Sequence, residues 1–354
     1  MGMKTNLRRS ARFADAALRH WLYRYGRQQP DETHCRFIGS HGLKKVCDYW
    51  DPEGKPPHAG DLEKLEWHGK HLPTIYVKTN YLSEFARGGI AHIEHDFTLV
   101  SGCCDIEAGP RDTEPDILRV LLDHPHLKTW YAQNSNLDEP KMRTLPLGLD
   151  YHTLTFGIHF WPWGHFSTPV AQEASLDETR NAAPQLADKA VSGYCNWHHV
   201  LQRGDRLRCI NGVAYDVLSL EQLNVRRTLS WSNNAQHLFT ISPLGMGLDC
   251  HRTWEAILLG SVPIVPKSGI SSLFEDLPVC VVDDWSEVTV PYLRRKRDWA
   301  LETEFDFAPL YLDWWRSQLR GKTDLPERRQ TFQAFMDTAS EPLLRRDSRI
   351  ADAA

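Results

Sequence analysis

Short apolar runs alternate along this chain with clusters of Gly, Pro, Ser, Asn and Asp, a rhythm that fits βα units better than evenly spaced hairpins. In the first half the pattern predicts strands over 35–38, 74–77, 97–100, 129–132 and 144–146. Helices are predicted over 81–86 and 114–122, the second with Asp112 or Thr113 as its N-cap. Three of the strands run into small or polar clusters: Gly39-Ser40-His41, Ser101 through Asp105, and Gln133-Asn134-Ser135. In an open parallel sheet ligands sit beyond the carboxyl ends of the strands, so these clusters are expected to line a cleft.

The rhythm breaks at 156–169, FGIHFWPWGHFSTP, which reads as an excursion between lobes. Trp161 and Trp163 there either offer aromatic faces to the sugar ring of an acceptor or pack the loop onto the body, the second being the plainer reading. Strands resume over 189–195, 237–241, 262–265 and 279–282, with helices over 203–213 and 250–259. From 290 to about 344 the chain is charged and aromatic, suited to helices that cross back over the first lobe.

A chain of 354 residues exceeds what one core usually serves. The expectation is therefore an α/β protein of two Rossmann-like lobes facing a cleft. Its parts are a basic helix at 1–30, a first lobe at 31–170, a second lobe at 171–290 and a helical tail at 291–354. The formal charge of -5 supplies no basic field for a phosphate backbone, which argues against nucleic acid as the main partner.

The eight cysteines contain no C-x-x-C pair and read as reduced, mostly buried thiols, and no metal site is predicted. No apolar run reaches the roughly 18 residues of a membrane span and no secretory core opens the chain, so a cytoplasmic location is expected. A helix over 5–25 carries Arg8, Arg9, Arg12, Arg19 and Arg24. It offers a peripheral contact to an anionic membrane surface, or else caps the first lobe with a solvated basic face.

The segment HLFTISPLGMGLDCHRTWEAILLGSVPIV, residues 237–265, forms one βαβ unit with unusual chemistry at its turn. Gly245 and Gly247 let backbone approach a ligand, and the following helix N-terminus favours a diphosphate. His251 and Arg252 fall in the first helical turn, where cations oppose the helix dipole unless an anion or acidic partner compensates. Glu255 lies one turn on, placed either to accept ribose hydroxyls or to pair internally with Arg252.

This stretch resembles the donor-binding core of the exostosin-like glycosyltransferases. Their pattern joins a Ser-Pro-x-Gly turn, a Gly-x-Asp, an Arg, a carboxylate and Ala-x-x-x-Gly-x-(Ile/Val)-Pro-(Ile/Val). The matching residues here are Ser242, Pro243, Gly245, Gly247, Asp249, Arg252, Glu255, Ala256, Gly260, Pro263 and Ile264. VKTNYLSEF, LVSGCCD, WYAQN and LPLGLDYHT in the first lobe are similar to pieces of the same group. In the two-lobed sugar-nucleotide transferases at large, Glu255 would match the glutamate on the donor ribose, whereas Gly247 stands where an earlier glutamate would be.

The resemblance implies a GT-B fold and transfer of a sugar from a nucleotide-sugar to a hydroxyl of a carbohydrate acceptor, with inversion. The donor is a substrate and no cofactor is implied; a UDP-sugar is favoured over a GDP-sugar. Arg252, the glycine turn and Lys267 are expected at the diphosphate without a metal, since no Asp-x-Asp site is apparent. Asp105 is the first choice for the base, with His41 and His152 behind it, and Asn134 is expected to bond acceptor or donor. Two rivals stand beside this reading. One is a fucosyltransferase-like enzyme, whose Glu-Asn-Ser and Thr-Glu-Lys wording the chain lacks; the other is a non-catalytic protein that binds nucleotide-sugar or glycan.

Overall fold

The computed structural model describes Leu18 and residues 31–156, 163–223, 225–322 and 325–338. Apart from Leu18, the predicted basic helix at 5–25 lies outside the described residues, as does Trp161. The chain is mixed α/β, built on two parallel sheets of four and five strands.

The first sheet holds β1 (Thr74–Lys78), β2 (Phe97–Gly102), β3 (Leu127–Ala132) and β4 (Met142–Thr144), in that spatial order. Strand alternation divides its side chains: Ile75 and Val77 join Phe85, Ile117 and Trp130 in one core, while Tyr76 and Val100 enter another. The helices about this sheet are α1 (Ser40–Lys45), α2 (Leu82–Arg87) and α3 (Pro115–Leu122). α4 (His152–Phe156) and α5 (Pro169–Asn181) lead into the second half.

The second sheet holds β5 (Ala190–Cys195), β6 (Leu218–Leu220), β7 (His237–Ile241), β8 (Val262–Pro266) and β9 (Cys280–Val282), in the spatial order β6-β5-β7-β8-β9. Strand order reverses between β5 and β7, which pair directly, Gly193 with Phe239. That reversal makes the carboxyl ends of β5 and β7 the place where a doubly wound sheet leaves a crevice. α6 (Arg206–Gly212) follows β5, α7 (Arg227–Asn234) precedes β7, and α8 (His251–Leu258) follows it.

The tail returns to the first lobe. After α9 (Val290–Glu302), β10 (Glu304–Asp306) pairs antiparallel with β11 (Arg329–Thr331). α10 (Leu312–Leu319) then packs beside α1, with Leu312 N–H on the Arg36 carbonyl at 2.8 Å, and α11 (Phe332–Thr338) closes the described chain. The larger core runs through both lobes and the tail, joining Phe37, Phe239, Trp254, Phe307 and Phe335.

Three predicted boundaries need correction. Residues 35–38 are not a sheet strand: Phe37 makes a single bridge to Tyr311 and Ile38 donates to Leu310, so this apolar run is buried by the tail. The strand expected at 144–146 sits at Met142–Thr144, ahead of Pro146, which has no N–H to continue the ladder. Glu114, not Asp112 or Thr113, is the N-cap of α3. Thr113 donates instead to the Glu107 carbonyl at 3.0 Å, and Asp112 accepts the Glu107 N–H at 2.9 Å.

All eight cysteines are free thiols; five are buried, and Cys103, Cys104 and Cys250 are partly exposed. Among the described residues no helix is long and apolar enough to cross a membrane.

Candidate functional site

A cavity of about 750 Å³ opens between the carboxyl ends of the two sheets. The first lobe contributes Ser40 and His41 from α1, Lys78 at the end of β1, and Cys103, Cys104 and Asp105 after β2. Asp150 and His152 stand at the start of α4, with Trp163 near them. The second lobe contributes Arg203 and Arg206 from the segment after β5, and Gly245, Met246, His251 and Arg252 from the segment after β7.

Three guanidinium groups thus meet at the switch point of the second sheet. Arg252 donates to Ser242 Oγ at 3.2 Å and to the Pro243 carbonyl at 2.7 Å; Arg206 donates to the Val200 carbonyl at 3.2 Å. None of Arg203, Arg206 and Arg252 has a carboxylate partner among the described residues, whereas Arg36, Arg227 and Arg329 each do. Arg206 Nε is buried with no hydrogen-bond partner. Burial, and then the charge of Arg252, hold Arg206 below its ordinary pKa. Crowded, unpaired cations under a helix N-terminus without a side-chain cap form an anion site in both charge and hydrogen-bond donors.

Gly204, at φ 56°, makes this packing feasible, since a Cβ there would lie 2.4 Å from the carbonyl oxygens of Leu244 and Gly245. The loop carrying Arg203 and Arg206 therefore sits directly on the turn after β7.

Asn134, Gly247 and Asp249 hold the lobes together, and Asp249 also lines the cavity. Asn134 and Asp249 are buried; Asn134 Oδ1 accepts the Asp249 N–H at 2.9 Å, while Asn134 Nδ2 donates to the Cys104 carbonyl at 3.1 Å. Asp249 accepts the Leu147 N–H at 2.8 Å and both its oxygens accept from Trp254 Nε1. Burial pushes the Asp249 carboxyl up to about 6 against these donors. A Cβ on Gly247 would come within 2.8 Å of the Asn134 amide, so that glycine admits Asn134, not a ligand backbone. Gln133 is likewise engaged, on Cys103 N–H and the Pro146 carbonyl, and does not line the cleft.

Glu255 departs furthest from expectation. Its carboxylate is paired with neither ligand space nor Arg252: it accepts from Arg227 Nη2 at 2.5 Å and Trp231 Nε1 at 3.0 Å. Arg227 is buried, donates also to Gln172 at 2.6 Å, and lies 4.5 Å over the Trp231 ring. The partner comes from α7, a helix that the apolar pattern does not reveal. Lys267 is also outside the cavity, because the chain there still pairs with β9 through Val282 and the side chain points to Asp283 at 3.4 Å. Ser242 is buried and reaches the site only by bonding Arg252 and Thr253.

Of the three base candidates, all line the cavity. Asp105 is exposed and has no hydrogen bond or ion pair among the described residues. Burial first, then Lys44 and His152, push His41 down to about 3. His152 Nδ1 lies 3.2 Å from Asp150 Oδ1 and its pKa is lowered by burial despite that carboxylate. Arg203, Arg206, Lys78 and Asp150 were missed by the sequence reading, although Asp150 stands inside the quoted LPLGLDYHT.

Compared with known proteins, the chain matches no family model and no curated protein.

Proposed function

We propose that the protein is a glycosyltransferase that moves a sugar from a nucleotide-sugar to a hydroxyl of a carbohydrate acceptor, on a fold of the GT-B type. The observation that carries this reading is the group of three arginines without carboxylate partners at the switch point of the second sheet. A nucleoside diphosphate has the charge to occupy it, and the helix N-terminus adds N–H donors. The facing first lobe supplies a free carboxylate, Asp105, across the same cavity. The likeness of residues 237–265 to the exostosin-like pattern supports the same assignment.

In this reading Asp105 takes the proton of the acceptor hydroxyl as its oxygen bonds to the anomeric carbon. The bond from that carbon to the diphosphate oxygen breaks, and the electron pair leaves with the diphosphate, whose added charge is met by Arg203, Arg206 and Arg252. Attack from the face opposite the leaving group inverts the anomeric centre. Donor binding needs no metal in this scheme.

The test is a screen of UDP- and GDP-sugars by thermal shift, followed by release of free nucleotide. Stabilisation with turnover supports a transferase, UDP-sugars being expected ahead of GDP-sugars. Stabilisation without turnover, in the presence of varied glycans, leaves a binding protein, and no stabilisation by any sugar nucleotide removes the assignment.

A further inference from the structure

Asp150, His152 and His251 each offer one ligand atom within 4.8 Å of the others, on the wall of the interlobe cavity. Two imidazoles and one carboxylate form a donor set that suits zinc and neighbouring divalent transition metals. Bringing the three atoms to metal–ligand distances of about 2.0–2.2 Å takes side-chain adjustments of under roughly an ångström.

The surroundings orient these groups. His251 Nδ1 lies 2.7 Å from the Gly148 carbonyl oxygen. A carbonyl can only accept, so Nδ1 carries the proton and Nε2 keeps a lone pair, the arrangement that metal-binding histidines take from a backbone partner. Asp150 Oδ1 accepts the Thr153 N–H at 2.9 Å, which fixes the carboxylate at the start of α4.

We propose that Asp150, His152 and His251 form a divalent transition-metal site that bridges the two lobes. Three protein ligands leave coordination positions open to the cavity, where a hydroxyl or water oxygen can bind. The site does not depend on the transfer reading. It narrows the expectation of metal independence to donor binding, which the proposed function assigns to Arg203, Arg206 and Arg252.

The experiment is titration of the full chain with Zn²⁺ against a chromophoric chelator, together with Co²⁺ absorption spectra. One equivalent of metal should bind, and His152→Ala and Asp150→Asn should each weaken it by tenfold or more, with the visible Co²⁺ bands altered. His126→Ala, in the His124–His126 pair just before β3, should bind as the parent does. Because His152 is half exposed, its replacement spares the fold; circular dichroism checks this, and Asp150→Asn gives a second, independent variant. No uptake of either metal by the parent, or uptake unchanged in both variants, overturns the site. Nucleotide binding is read separately in the same samples, so loss of the metal site and loss of the transferase reading remain distinct results.

Discussion

Asn134 and Asp249 are joined by a hydrogen bond of 2.9 Å from the Asp249 N–H to Asn134 Oδ1, which fastens the end of β3 to the turn that precedes α8. Asn134 holds this position in a left-handed conformation, φ 52°, which asparagine tolerates better than most residues. Gly247→Ala forces a methyl against that amide and should destabilise the protein by about 1–3 kcal/mol in urea unfolding. Unchanged stability would show that the lobes do not depend on this contact.

Arg252→Ala and Arg206→Ala should each weaken UDP or GDP binding by about 1.5–3 kcal/mol, the value of a charge-assisted contact, with melting temperature unchanged or raised. Relief of the crowding between like charges is the reason for the second expectation. Calorimetric titration gives the affinity. Equal affinity in both variants would remove the donor site.

Glu255→Ala should behave in the opposite way, losing about 3–5 kcal/mol of stability because it leaves the buried Arg227 without its carboxylate. Chemical denaturation reads the loss. A variant as stable as the parent, with nucleotide affinity reduced, would return Glu255 to the ligand side.

Asp105→Asn should keep nucleotide affinity while lowering the transfer rate roughly 10²–10⁴-fold, the range for a general base. Excess EDTA should likewise leave nucleotide affinity intact. A transfer rate at the parent level in Asp105→Asn would assign the proton to another group.

Two ionisable groups in and beside α1 give opposing pH effects. Burial, offset in part by Gly42 N–H and Lys45, pushes Glu32 up to about 7 from an ordinary 4.5. Its contribution to stability is full below about 4.5 and is lost as pH rises through about 7. His41 is depressed, so its contribution is present above its ordinary 6.5 and lost as pH falls through about 3. Glu32→Gln keeps an acceptor for the Gly42 N–H, which Glu32 now binds at 2.7 Å. The variant should match the parent near pH 4.5 and exceed it at pH 8 by on the order of 3 kcal/mol. Thermal melts at both pH values measure this.

The second sheet was readable because β7 and β8 are apolar runs buried on both faces, a signal that survives without neighbours in sequence. α5 and α7 were not, since their inward faces carry Gln172, Glu173, Arg180 and Arg227, whose burial rests on partners far along the chain. The same cause hid the true partner of Glu255. Arg252 and His251 stood out as cations misplaced in a first helical turn, and both do line the cavity. Arg203 and Arg206 also fall at the start of a predicted helix, 203–213, but nothing local ties that helix start to the turn after β7. Only the strand order, with β5 beside β7, brings them to the site.

The bridge from Phe37 to Tyr311 and the bond from Ile38 N–H to the Leu310 carbonyl join positions about 270 residues apart along the chain. On a ribosome the amino-terminal edge emerges long before its partner exists. Phe37 then stays uncovered while the second sheet is being made, so the first lobe finishes folding last although it is synthesised first. Premature termination anywhere before Leu310 would leave this apolar edge open, and it is there that a shortened chain should begin to aggregate.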